Sequence, residues 1–292
     1  MNEEKMTTLY FNKVTILGVG LIGGSFALAM KNRGLCGHIV GSGRNKKNLI
    51  NARERAIIDS FELDPAEACR DSDLILLSAP VGSLADLVRR SRASFKKGTI
   101  ITDAGSVKGG LVYEVEGLMP EDVHYIGAHP IAGSDRAGIG SSLTSLFDGA
   151  QCIITPTTKS DLGALKQVIA LWKSLGSQVI IMEPVRHDRI YAAVSHLPHV
   201  IAYTIVNTVA DVDVSYLEYC GQGFRDTTRI ACSSQELWRD ICLLNRENLL
   251  DMISVFQKNL DSLCRYLRAS DSDSLEREFM RARTLREGIG QG

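Results

Sequence analysis

The chain has 292 residues, 45% of them hydrophobic and 23% charged, with a formal net charge of −1. That length favours two domains over one compact core, and the near-neutral charge gives no reason to expect nucleic acid or an anionic membrane surface as a partner. Seven cysteines without a CxxC pair lack the spacing of a zinc site or a disulfide framework, so they read as reduced thiols and no metal is expected.

The first segment, MNEEKMTTLYFNK at 1–13, is polar and lacks the apolar run of a signal peptide. No apolar run approaches the roughly 20 residues of a membrane span. A soluble cytoplasmic protein is expected. Short apolar strands follow at 14–17, 39–42, 74–78, 99–102, 125–128, 152–155 and 179–182, separated by helical stretches. Their β-branched content and lack of alternation imply burial on both faces, hence a mainly parallel sheet covered by helices. From residue 186 onward strand signals vanish and helical periodicity dominates. Ser233 and Glu236 are spaced as a capping box. Behind them Leu237, Ile241, Leu244, Met252, Val255, Leu260, Leu263 and Leu267 recur at helical intervals, predicting one long apolar helix suited to a dimer interface. The fold expected is a Rossmann-like α/β dinucleotide-binding domain at 11–183, then an all-α dimerisation domain at 184–292.

The sequence GVGLIG at 18–23 lies between the first strand and a helix. Gly18 permits the tight turn, Gly20 lets backbone approach a pyrophosphate, and Gly23 lets helix and strand pack closely. With Leu21 and Ile22 they open a helix whose N–H groups face the phosphates. At the end of the second strand, where many NAD enzymes carry an acid for the ribose, the sequence reads SGRNKK. Ser42 and Arg44 stand there without a carboxylate, so NADP or dual use is favoured over strict NAD. The nicotinamide is expected near Ser78, Ala79 and Pro80, and near Ser106, where further strands end. Taken alone, Ser106 could equally be a helix N-cap beside an exposed Lys108.

Three more motifs follow in order: HPIAGSD at 129–135, SHLPH at 195–199 and GQGFRDTTR at 221–229. Together with the glycine turn they make the chain resemble the prephenate/arogenate dehydrogenase family, which supplies the precursors of tyrosine. The resemblance runs from about Val14 to about Leu267 and implies oxidative decarboxylation of prephenate with hydride transfer to NAD(P)+. It implies that His129 accepts the substrate's hydroxyl proton and that Ser106 touches both nicotinamide and hydroxyl. Arg229 would bind the ring carboxylate, and His199 would line the substrate site. His196 would be a further contact, and Arg225 could hold the second carboxylate. Asp226 would orient an arginine. The backbone at Gly221 and Gly223 would contact substrate, whereas Gln222 departs from the small residues usual there. Trp238 matches a tryptophan that reaches the neighbouring subunit's site, making a homodimer functional. Asp135 would face the substrate side chain, favouring the ammonium of arogenate over the ketone of prephenate.

The alternatives are arogenate (cyclohexadienyl) dehydrogenase, giving tyrosine directly, and a nucleotide-sensing regulator without turnover. A β-hydroxyacid dehydrogenase or an imine reductase would share the architecture. Isotope transfer from labelled substrate to cofactor separates enzyme from sensor. The chain leaves no room for an appended mutase or regulatory domain, so a monofunctional enzyme is expected.

Overall fold

The computed structural model describes residues 9–133 and 138–289; Asp135 therefore lies outside the described residues. Eight strands form one sheet: β1 (Phe11–Leu17), β2 (Cys36–Ser42), β3 (Ser60–Glu62), β4 (Leu74–Leu77), β5 (Ile100–Asp103), β6 (His124–Pro130), β7 (Gln151–Thr155) and β8 (Gln178–Ile181). Their order is β3-β2-β1-β4-β5-β6-β7-β8. All neighbours are parallel except β6 and β7, which run antiparallel with His129 opposite Ile153. The seven expected strands are present. The eighth, β3, has only three residues and pairs with β2 alone.

Helices cover both faces: α1 (Leu21–Asn32), α2 (Lys46–Glu54), α3 (Pro65–Cys69), α4 (Leu84–Ser91), α5 (Gly109–Glu116) and α6 (Leu162–Ser174). Successive strand residues serve opposite faces. Leu74 and Leu76 join one buried cluster with Phe26, Phe147 and Trp172, while Ile75 and Leu77 join the other with Val88 and Val112. Such strands are apolar throughout because neither face meets water. The chain leaves β1 toward one neighbour and returns through β4 on the other side, so a crevice opens at the carboxyl ends of β1 and β4.

After β8 the chain is helical: α7 (Pro184–Tyr191), α8 (Leu197–Asp213), α9 (Gln222–Thr228), α10 (Gln235–Leu244), α11 (Arg246–Ala269) and α12 (Ser272–Glu287). A π-helical turn, Ala192–His196, joins α7 to α8, and Pro198 occupies the first turn of α8. Pro198 brings no N–H, which suits a position where regular i−4 bonding is already interrupted.

Two expectations are corrected here. The cap of α10 is Ser234, whose hydroxyl accepts from the Leu237 N–H at 3.4 Å, and not Ser233; the Ser233 carbonyl accepts from the Tyr203 hydroxyl instead, at 2.9 Å. The single long helix is also broken at Asn245, which has left helical dihedrals. The apolar periodicity runs through the break and so concealed it.

A third correction concerns Pro184–Tyr219, a helical run that is long and apolar enough, by length and composition, to cross a membrane. His196, Pro198, His199 and Asn207 interrupt the apolar residues, so no uninterrupted run stands out in the sequence. Packing divides the chain into two compact units, Met1–Arg246 and Glu247–Gly292. In the second, Val255, Leu260, Leu267, Phe279 and Met280 are exposed.

Candidate active site

The glycine turn follows β1 directly. Gly18 adopts a φ of +108°, and a Cβ there would come within 2.4 Å of the Ala79 nitrogen. A Cβ on Gly23 would meet the Gly18 carbonyl oxygen at 2.3 Å. The Ser78 hydroxyl donates to that same carbonyl at 2.8 Å, so the turns after β1 and β4 are joined across the crevice. Gly20 has open space at its Cβ position, and α1 begins there without a side-chain cap or an acid in its first turn. This cradle fits the diphosphate of a dinucleotide: backbone can approach closely and the positive helix end is free to face it.

Two cavities meet at this turn. One, of about 510 Å³, is lined by Gly18, Gly20, Ser42, Arg44 and the 78–80 backbone, together with Asn45 and Asn48, which sequence reading missed. The Asn48 side chain donates to the Val19 carbonyl at 2.7 Å, fixing the wall beyond the glycines. The other, of about 650 Å³, is lined by Gly20, Leu21, Ile22, the 78–80 segment and Ser106, and also by His199 and Arg229. Gly20, Leu21, Ile22, Ser78, Ala79, Pro80 and Ser106 of the expected cofactor residues thus share one cavity with His199 and Arg229 of the expected substrate residues.

Ser106 sits in the loop between β5 and α5, and that loop is anchored from below. Asp103, fully buried at the end of β5, accepts from the Gly105 N–H at 2.8 Å, the Tyr125 hydroxyl at 2.9 Å and the Ala128 N–H at 2.9 Å. The Lys108 ammonium completes the set as a buried ion pair. Lys108 is therefore interior, which corrects the picture of an exposed lysine. The helix N-cap reading of Ser106 is corrected too. Lys108 holds the cap position of α5, and the first N–H groups are satisfied by Asp188, whose two oxygens accept from Lys108 and Gly109, each at 2.7 Å.

His129 lies inside β6, two residues beyond Gly127, rather than just past the strand. Its Nδ1 is 2.8 Å from Nε2 of His187, and Nδ1 of His187 is 2.8 Å from the Asp188 carboxylate. Tyr191 stacks on His187 at 4.4 Å and meets His129 edge-on at 5.0 Å. Burial above all, then His187, Lys108 and His196, holds the His129 imidazole well below its usual 6.5, so it is neutral at pH 7. His187 is lowered as well, burial outweighing the opposing hydrogen bond to Asp188. His187 and Asp188 carry no local motif, and only the packing of α7 on α5 brings them here.

His196 is buried and His199 partly exposed, and both face Trp238. Trp238 stacks on His199 of its own chain at 3.6 Å and meets His196 edge-on at 5.9 Å. Burial lowers the His199 pKa, the Ser195 carbonyl partly opposes this, and nearby Arg229 adds to it. Arg225 and Gly223 are exposed on α9, where Gln222 donates to Asp226 at 2.7 Å.

The family model described as prephenate dehydrogenase, nucleotide-binding domain, matches residues 26–181. A second, for the prephenate dehydrogenase dimerization domain, matches residues 183–281. The chain belongs to the prephenate dehydrogenase family. The two matches meet close to the expected boundary at 183/184, whereas packing alone divides the chain after Arg246. A prephenate dehydrogenase of Bacillus subtilis is 31% identical over 99% of this chain and 77% of its own. A cyclohexadienyl dehydrogenase of Zymomonas mobilis is also 31% identical, over 94% of this chain and 95% of its own. Among solved structures, the prephenate dehydrogenase of Aquifex aeolicus in complex with hydroxyphenyl propionate and NAD+ superposes with a TM-score of 0.91. It is 35% identical, covering 97% of this chain and all of that one.

Proposed function

We propose that this chain oxidises and decarboxylates prephenate to 4-hydroxyphenylpyruvate in tyrosine biosynthesis, with His129, Ser106 and Arg229 carrying the chemistry. The observation behind this reading is the single cavity in which Ser106, His199 and Arg229 stand with the Gly20 turn and the 78–80 backbone. Members of the family are oxidoreductases, and the cofactor is a nicotinamide dinucleotide.

When bound, the nicotinamide supplies the acceptor for the hydride leaving the hydroxyl-bearing ring carbon. His129 takes the hydroxyl proton, a task for which a neutral imidazole is suited. Arg229 holds the ring carboxylate until it departs as CO2, its bonding pair making the ring aromatic. A guanidinium is always charged and can grip both oxygens. Its hold must not exceed what the transition state gains, because uniformly tight binding does not speed the chemical step. Ser106 hydrogen-bonds the hydroxyl beside the nicotinamide. His199 lines the same cavity, with Trp238 stacked on it and His196 edge-on to Trp238, and Arg225 and the Gly223 backbone serve the side-chain carboxylate.

The exposed apolar residues of α11 and α12, with the family's dimerization domain, support a homodimer through the helical domain at 184–292; a soluble cytoplasmic enzyme is proposed from the family's biosynthetic role. The absence of an acid at 42–47 supports NADP or dual cofactor use. The likeness to a cyclohexadienyl dehydrogenase favours arogenate as a second substrate. Turnover of prephenate and of arogenate, each with NAD+ and with NADP+, is the direct test. No reduction of either cofactor with either substrate would overturn the assignment.

A further inference from the structure

We propose that His187 and Asp188 fix the proton positions on His129, so that it carries hydrogen on Nδ1 and presents Nε2 to the substrate as a bare acceptor. This deepens the reading of His129 given above and rests on it.

The chain of hydrogen bonds has only one consistent direction. As a carboxylate Asp188 donates nothing, and its oxygens already accept from the Lys108 and Gly109 N–H groups at 2.7 Å each. Nδ1 of His187, 2.8 Å from Oδ1, must therefore be the donor of that pair. A neutral imidazole with its proton on Nδ1 has a lone pair on Nε2. That lone pair faces Nδ1 of His129 at 2.8 Å, so His129 must be the donor there. Its single proton is then spent on Nδ1, and Nε2 is left with a lone pair.

The opposite direction fails on the same atoms. For His187 to donate to His129 it would have to turn a lone pair toward the carboxylate, or carry a positive charge. Its side chain is fully buried, and burial lowers its pKa. The Lys108 ammonium from below, already paired with Asp103, also disfavours a second cation. His196 and Lys108 act on His129 in the same sense. Ring rotation is restrained by Tyr191, stacked on one imidazole and edge-on to the other.

The arrangement is one of positioning. In the reaction one proton passes from the substrate oxygen to Nε2 of His129 as hydride leaves, and that proton returns to the phenolate oxygen once CO2 has departed, while those on Nδ1 of His129 and of His187 stay where they are. The same logic holds in triads where a buried acid selects the tautomer of a histidine base, and replacing that acid so that the wrong tautomer forms costs about 10⁴-fold in kcat. A neutral acceptor is a weaker constraint, and a loss of about 10–100-fold is expected from removing it.

Two readouts test it. In the free protein labelled with 15N-histidine, with His129→Asn used to assign its signals, His129 should be protonated at Nδ1 and unprotonated at Nε2. His187→Leu, which keeps bulk but cannot accept, should reduce kcat about 10–100-fold with KM little changed. His187→Gln, whose Oε1 can accept from Nδ1–H, should restore most of it. A proton on Nε2 of His129 in the wild type would overturn the inference, as would equal loss, or no loss, in the two His187 variants. Because the tautomer is read without turnover, this failure is distinct from that of the His129 role, which would show as wild-type kcat in His129→Asn.

Discussion

The side-chain nitrogen of Asn245 stands 2.8 Å from the Asp188 carbonyl oxygen and 3.0 Å from Nδ1 of His196. The amide donates to both, so Nδ1 of His196 is an acceptor and its proton sits on the buried Nε2, on the side of the Ser106 backbone. Adding a second proton would set two donors against each other at a buried site. Burial is the largest cause of the low His196 pKa, about 4 against the usual 6.5; Asp188 and the Ser106 backbone oppose it, and His187 and His199 reinforce it.

That shift has a consequence for stability. The unfolded chain takes up this proton near pH 6.5 while the folded chain resists until about pH 4. The stability contributed by neutral His196 is thus fully present above pH 6.5 and is lost as pH falls toward 4, on the order of 3 kcal/mol in all. Urea midpoints should decline from pH 7.5 to pH 5, and His196→Gln should flatten that decline. An unchanged slope in the variant would show that His196 is not the titrating group.

His129→Asn should lower kcat by roughly two to four orders of magnitude, the range for losing a positioned acid–base group, with little change in KM. Steady-state kinetics at saturating cofactor reads both constants. Wild-type turnover would remove His129 from the chemistry.

Arg229→Ala should act mainly on KM, since it removes a carboxylate contact made in the ground state as well as the transition state. A charge-assisted contact contributes about 1.5–3 kcal/mol, so KM should rise about ten- to more than a hundredfold. A fall in kcat at unchanged KM would instead place Arg229 against the reacting centre.

The sheet was readable because strands buried on both faces are apolar without alternation, as at Leu74–Leu77. The strand Ser60–Glu62 escaped because an edge strand of three residues, one of them apolar, carries no period. At the site, the glycine turn, Ser78, Ser106, His199 and Arg229 could be named because each lies in a motif, and they do line joined cavities. His187, Asp188 and Asn245 could not. They meet His129, α5 and His196 only through packing across some 50 to 80 positions of sequence. The break at Asn245 was hidden for the same reason, since its cause is a buried amide's partners and not a helix-breaking residue.

The proposed use of NADP+ is tested at the loop after β2. Arg44 lines the cavity of about 510 Å³ with its side chain 82% exposed, and its guanidinium lies 3.4 Å from Glu236 on the first turn of α10. An exposed pair of this kind contributes only about 0–1 kcal/mol. A 2′-phosphate could therefore draw Arg44 from Glu236 at small cost and gain a charge-assisted contact of about 1.5–3 kcal/mol. Gly43 precedes it with room to spare, since a Cβ would meet only Leu49 at 3.9 Å. Gly43→Asp combined with Arg44→Ile should thus fold normally, put a carboxylate where the ribose hydroxyls lie, and remove the phosphate's partner. The expected result is a fall of about one to two orders of magnitude in kcat/KM for NADP+ and a rise for NAD+, with kcat on saturating NAD+ unchanged. If the wild type already prefers NAD+ and the double change leaves NADP+ use where it was, Arg44 is a surface residue paired with Glu236 and nothing more.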